Sequence, residues 1–174
     1  FGKEGAFITK ATAQLMRDFG CVQSPINAYM LNLGLESLHV RMARHCENGQ
    51  AVAEFLASHP KIAYVNYCGL PGDKYHAVAE KYLPNGSCGV VSFGVKGGRE
   101  AAAAFMGHLK IAAIETQVAD ARTCCLHPAS STHRQMNDEQ LIAAGVQPDL
   151  VRMSCGLEDK NDLIHDIAQA LDQI

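Results

Sequence analysis

A change of period at Pro60 constrains this chain more than any other feature. Before it, apolar residues recur at three- and four-residue intervals; after it, short β-branched and apolar runs alternate with short helical patterns. Phe7, Ile8, Ala11, Leu15, Met16 and Phe19 mark one face of an amphipathic helix that Gly20 stops. Ser24-Pro25 then offers an N-cap and a first-turn proline. The apolar pattern from Ile26 to Leu56 predicts two helices or one bent helix, with Gly34 and Gly49 as candidate breaks and an end at His59-Pro60.

Beyond Pro60 the spacing predicts strands around Ile62 to Val65, Cys88 to Val95, Ile111 to Val118, Arg122 to His127, and in "LVRMSC" from Leu150. Helical patterns fall between them at Tyr75 to Tyr82, Arg99 to His108, Asp138 to Ala144 and Lys160 to Leu171. Asn137 with Gln140 three residues on forms a capping-box signal, and Asp159 is placed to cap the last helix. The expectation is an α/β (α+β) chain in which helices cover a small mixed sheet. One domain spanning 1–174 is the default, because 174 residues suffice for one well-buried core or for one domain of a larger protein.

Charge excludes several function classes. A formal net charge of -3 with 19% charged residues leaves neither the basic excess of a nucleic-acid binder nor an acidic tail, so no nucleic-acid partner is expected. No apolar run approaches the roughly 20 residues needed to span a bilayer, so no membrane partner is expected either. Seven cysteines, an odd number without paired spacing, fit free thiols in a reducing cytosol better than a disulfide framework. The chain opens at Phe1 and reads like the interior of a longer protein.

Several side-chain groups are candidates for chemistry. "FGVKGGREA" lacks the spacing of a phosphate loop and reads as a tight strand-to-helix turn. Cys124, Cys125, His127 and His133 are clustered, yet adjacent cysteines on a strand point to opposite faces, which favours core thiols over a zinc site. A catalytic Cys/His pair from that set lacks any signal of a lowered thiol pKa. Lys10 reads as a solvated helix residue. Arg152 is harder to dismiss, since it interrupts an apolar run between Val151 and Met153. A buried guanidinium needs an opposite charge, and its planar fork suits a structural Asp or Glu as well as a substrate carboxylate. On physical grounds the two stand level.

"LVRMSCGLEDKNDLIHDIAQAL" and "HPASSTHRQM" resemble the signature segments of the pyridoxal-phosphate enzymes of cysteine and methionine metabolism. "GLESLHVRMARHCENGQAVAEFLASHPKIAYVNYCGLP" and "KYLPNGSCGVVSFGVKGG" extend the resemblance over nearly the whole chain, and within the family it points to the O-acetylhomoserine sulfhydrylase branch. The resemblance implies the C-terminal, substrate-recognition domain of a fold-type I enzyme whose cofactor lysine lies in an upstream domain. The chain alone is then expected to be inactive and not to bind pyridoxal 5'-phosphate specifically. It also implies, for the intact protein, a homo-oligomer, usually a tetramer, that replaces the acetyl group of O-acetyl-L-homoserine with sulfide or methanethiol. Methionine γ-lyase, a cystathionine synthase or lyase, and a non-catalytic oligomerisation or binding domain are the alternatives. Residue by residue, it assigns Arg152 to the α-carboxylate of an amino-acid substrate. It also assigns Thr123, in place of a serine associated with the substrate site, to substrate binding, its hydroxyl or neighbouring backbone helping to shape that pocket; Ala119 replaces a glycine, and Cys68 replaces a proline.

Overall fold

The computed structural model describes residues 2–174, and its contacts divide the chain into two compact units, 1–39 and 40–174. In the first, a helical run (α1, residues 6–19) has π-helical winding over Lys10–Met16 and stops at Gly20, whose φ is +67°. Ser24 Oγ accepts the N–H of Asn27 at 3.3 Å, and Pro25 opens α2 (Pro25–Glu36). No described residue of this unit is buried; Phe19 is 75% exposed and Met30 63%.

The expected pair of helices is present, but the break falls at Ser37, between α2 and α3 (Leu38–Ser58). Neither candidate glycine ends a helix. Gly49 is instead kept small by its surroundings, because a Cβ there would lie 2.5 Å from the Cys88 carbonyl oxygen.

The second unit is built on five strands: β1 (Ile62–Asn66), β2 (Val90–Val95), β3 (Ala113–Ile114), β4 (Cys124–Leu126) and β5 (Leu150–Ser154), in the order β1-β2-β5-β4-β3. The β3/β4 pair is parallel and the other pairs are antiparallel, so the sheet is mixed as expected. Between the strands lie α4 (His76–Tyr82), α5 (Gly98–His108) and α6 (Asp138–Ala143), and α7 (Lys160–Asp172) follows β5. Asn137 and Gln140 form the reciprocal capping box, and Asp159 caps α7 through the Asn161 N–H at 2.8 Å. The turn into α5 is glycine-built, with φ of +107° at Gly97 and +75° at Gly98, values that only glycine adopts without strain.

Strand alternation sorts the sheet's two faces. Val91, Phe93, Val95, Cys125, Val151 and Met153 point to the core, where they meet Val52, Ala53 and Leu56 of α3, Phe105 of α5 and Leu163, Ile167 and Leu171 of α7. Phe93 and Phe105 pack edge to face, ring centroids 5.8 Å apart. Val90, Ser92, Leu126, Leu150 and Arg152 point the other way.

β3 is much shorter than the expected Ile111 to Val118. A buried carboxylate far away in the sequence sets its start: Asp166 of α7 accepts the N–H groups of Lys110, Ile111 and Ala112 at 2.8 to 3.1 Å. Those amides are thereby committed to a side chain, and the ladder begins only at Ala113.

Candidate functional site

The opposite face of the sheet carries a cavity of about 470 Å³. Its floor is Val90, Ser92, Leu126, Leu150 and Arg152, and Thr116, Pro128, Thr132 and His133 close its sides. Cross-strand register makes the floor: Arg152 stands between Ser92 on β2 and Leu126 on β4. The walls depend on the short 3₁₀ turn Pro128–Ser130, which Arg99 of α5 steadies by donating to the Ala129 carbonyl at 2.7 Å and pairing with Asp138 at the start of α6.

Arg152 is only half-buried, and its partner is not an anion. One guanidinium nitrogen donates to the Thr116 carbonyl at 2.8 Å, and among the described residues the group forms no ion pair. The apolar run that seemed to bury it is an alternation: Val151 and Met153 face the core, and Arg152 faces the cavity. An anion to neutralise a buried charge is therefore not required, and the structural-carboxylate alternative has no residue to carry it.

The structure separates Thr123 from Arg152, which corrects the expectation that the threonine shapes the same pocket. Thr123 is fully buried and shares its parity with the core residue Cys125, not with the cavity residue Leu126. Its hydroxyl donates to Glu158 Oε2 at 2.8 Å and accepts the Gly156 N–H at 2.8 Å, while its own N–H donates to Glu158 Oε1 at 2.7 Å. The hydroxyl's donor and one of its two lone pairs are used within the fold, and full burial keeps it out of the cavity.

Gly156 and Glu158, which follow β5, thus form a latch with Thr123. A Cβ at Gly156 would lie 2.5 Å from Thr123 N and from the Ala121 carbonyl oxygen, so only glycine permits the approach. Asn48 of α3 seals the latch by donating to the Gly156 and Glu158 carbonyls at 2.9 and 2.8 Å. Upstream, Ala119 adopts φ +58°, unusual for a residue with a Cβ, and its N–H donates to Ser154 Oγ at 2.9 Å. The latch and this contact fix the loop carrying Thr116, and Thr116 holds Arg152.

The remaining candidates have structural roles. His127 is 2% exposed, with Nδ1 2.9 Å from Ser130 Oγ and Nε2 2.8 Å from the Pro148 carbonyl, so both ring nitrogens are occupied. Cys124, Cys125 and Cys155 are buried free thiols; burial raises all three pKa values, that of Cys155 to about 12. Among the described residues no group of three or more His, Cys, Asp or Glu is arranged to hold a metal ion, and no helix is long and apolar enough to cross a membrane. Lys10 is exposed beside Gln14. No lysine lines the Arg152 cavity, so it offers no amine to an aldehyde cofactor, whereas a guanidinium with donors beyond its bond to Thr116, set among hydroxyl groups, suits a small carboxylate.

Comparison with known proteins bears on this geometry. The family model described as Cys/Met metabolism PLP-dependent enzyme matches residues 3–172. An O-acetyl-L-homoserine sulfhydrylase from Leptospira meyeri is 45% identical over 97% of this chain and 38% of its own length. O-acetyl-L-homoserine sulfhydrylase 1 from Thermus thermophilus is 43% identical over 97% of the chain and 40% of its length, and homocysteine synthase from Schizosaccharomyces pombe is 42% identical over 96% and 39%. A crystal structure of a Campylobacter jejuni protein described as an O-acetylhomoserine (thiol)-lyase, containing N'-pyridoxyl-lysine-5'-monophosphate, superposes with a TM-score of 0.87 at 37% identity, over 96% of this chain and 40% of its own. The chain thus spans about two fifths of the length of these relatives.

Proposed function

The chain belongs to the Cys/Met metabolism PLP-dependent enzymes, and from that premise we propose that residues 1–174 are the substrate-recognition domain of an enzyme that exchanges the acetyl group of O-acetyl-L-homoserine for sulfide or methanethiol. Arg152 anchors the substrate's α-carboxylate. The observation that carries this reading is a cavity-facing guanidinium with a carbonyl partner and no carboxylate. A bidentate carboxylate engages the fork's unused donors, and the Thr116 contact limits its rotation, so the amino acid's α-carbon is held in one orientation. Ser92 and Thr132 place polar groups at the cavity wall around the rest of the ligand.

Pyridoxal phosphate, when bound, supplies the electron sink of the reaction; the residues of this cavity bind and orient the substrate. Thr123 acts at one remove, through the latch that sets the Thr116 loop. The reading extends to a homo-oligomer in the cytosol. Exposed apolar side chains on the first unit, Phe19 and Met30 among them, support a partner surface, and free thiols at every cysteine support a reducing compartment.

Steady-state kinetics of the full-length enzyme test the assignment. Arg152→Ala should lower kcat/KM for O-acetylhomoserine by about 10- to 150-fold, the loss of a charge-assisted contact of about 1.5 to 3 kcal/mol. Arg152→Lys should recover little, because it restores charge without the fork. An unchanged kcat/KM in Arg152→Ala removes the substrate role.

A further inference from the structure

Residues 155–158, which leave β5, are held by α3 as well as by Thr123. His45 and Asn48 of α3 are 1% and 0% exposed, and both reach this segment. His45 Nδ1 lies 2.7 Å from the Cys155 carbonyl oxygen, and Asn48 Nδ2 donates to the Gly156 and Glu158 carbonyls at 2.9 and 2.8 Å. These partners fix the chemistry of both side chains. A carbonyl only accepts, so His45 Nδ1 carries a proton, and in the uncharged ring Nε2 is then a bare acceptor. Asn48 spends its amide hydrogens on two carbonyls, which leaves Oδ1 as a second acceptor. Both atoms are sealed from solvent, and among the described residues neither has a hydrogen-bonding partner. Unpaired buried acceptors are a cost that protein interiors avoid.

We propose that His45 and Asn48 hold one buried water, which gives one hydrogen to His45 Nε2 and the other to Asn48 Oδ1. The two residues stand three apart on one face of α3, a spacing that sets Cβ atoms about 5 to 6 Å apart. Their other polar atoms are fixed on the consecutive carbonyls of Cys155 and Gly156, so the two acceptors share one neighbourhood. Two acceptors do not satisfy each other, whereas one molecule with two donor hydrogens serves both. Water is the ligand that fits this demand. A hard cation prefers oxygen ligands to an imidazole, and an ammonium ion brings a net charge into the core. Closure from solvent excludes a donor side chain reaching in from another part of the protein. The water joins the His45 and Asn48 contacts into a single clamp on residues 155–158, on the segment that also carries the Gly156 and Glu158 partners of Thr123.

The test is a crystal structure of the full-length protein at neutral pH, at a resolution that orders internal water, followed by neutron diffraction from crystals exchanged into heavy water. The expected result is one water peak within about 2.6 to 3.2 Å of both His45 Nε2 and Asn48 Oδ1 in every copy. Its two deuteriums should lie on the lines to those atoms, with one deuterium on Nδ1 and none on Nε2. His45→Phe should lose the peak while Asn48 keeps both carbonyl contacts. A dry site, a deuterium on Nε2 donating directly to Oδ1, or a peak that persists on Asn48 in His45→Phe overturns the proposal. The wild-type crystal decides the occupant even where the variant fails to fold.

Discussion

The two faces of the five-stranded sheet are written by the same strands and serve opposite ends. On β5, Val151 and Met153 are fully buried against three helices, while Arg152 between them reaches a cavity. On β2, Val91 and Phe93 are buried and Val90 and Ser92 line that cavity. The core face fixes where the backbone lies; the other face uses that fixed backbone to present polar groups at set spacing. A substitution should therefore read out as stability on one face and as substrate handling on the other.

The largest break should come from the core. Phe93→Ala removes a fully buried ring packed on Phe105 and is expected to cost about 3 to 5 kcal/mol, measured as the denaturant midpoint, with activity lost only as the fold is lost. Next comes alkali. Burial raises the pKa of both Cys125 and Cys155 above the unfolded value, so the unfolded chain releases protons first and stability falls as pH rises; the stabilisation is full below the unfolded pKa. Between roughly pH 9 and 10 the loss should be about 1 kcal/mol for each thiol, checked by urea unfolding across that range. Cys155→Ala should flatten the slope.

The latch between the faces should give an intermediate effect. Thr123→Val keeps the shape but leaves Glu158 and the Gly156 N–H each short of a partner, at about 1 to 3 kcal/mol. Because Thr123 acts only through the loop that holds Thr116, Thr123→Ser should restore stability and kcat/KM together; a direct ligand contact would separate the two. Smaller still, Ala119→Gly relieves a left-handed alanine and should stabilise by about 0.5 to 1 kcal/mol in thermal unfolding.

What the sequence disclosed and what it hid follow from range. Ser24, Asn137 and Asp159 announced their helices because a cap needs only neighbours three residues away. The alternation that explains Arg152 was present in "LVRMS", yet the apolar flanks suggested burial on both sides, and only the cavity opposite the helical layer settles which way each residue faces. Asp166 shortens β3 from more than 50 residues away, a contact that no local pattern carries. Thr123 was singled out through family resemblance, but its partners Gly156 and Glu158 went unread although both sit in the "SCGLE" that follows Arg152. A glycine and a glutamate directly after a strand were the available signal. The break at Ser37, with Gly34 and Gly49 inside helices, shows that glycine's helix penalty of about 1 kcal/mol yields to context.

The central claim is that Arg152 recognises a carboxylate, and the most direct measurement is a cycle of two proteins against two substrates. Full-length wild type and Arg152→Ala are each assayed for kcat/KM with O-acetylhomoserine and with its α-carboxamide. Wild type should prefer the carboxylate by about 10- to 150-fold, and Arg152→Ala should lose that preference while its denaturant midpoint shifts by less than about 1 kcal/mol of stability. An undiminished preference for the carboxylate in Arg152→Ala would contradict the account.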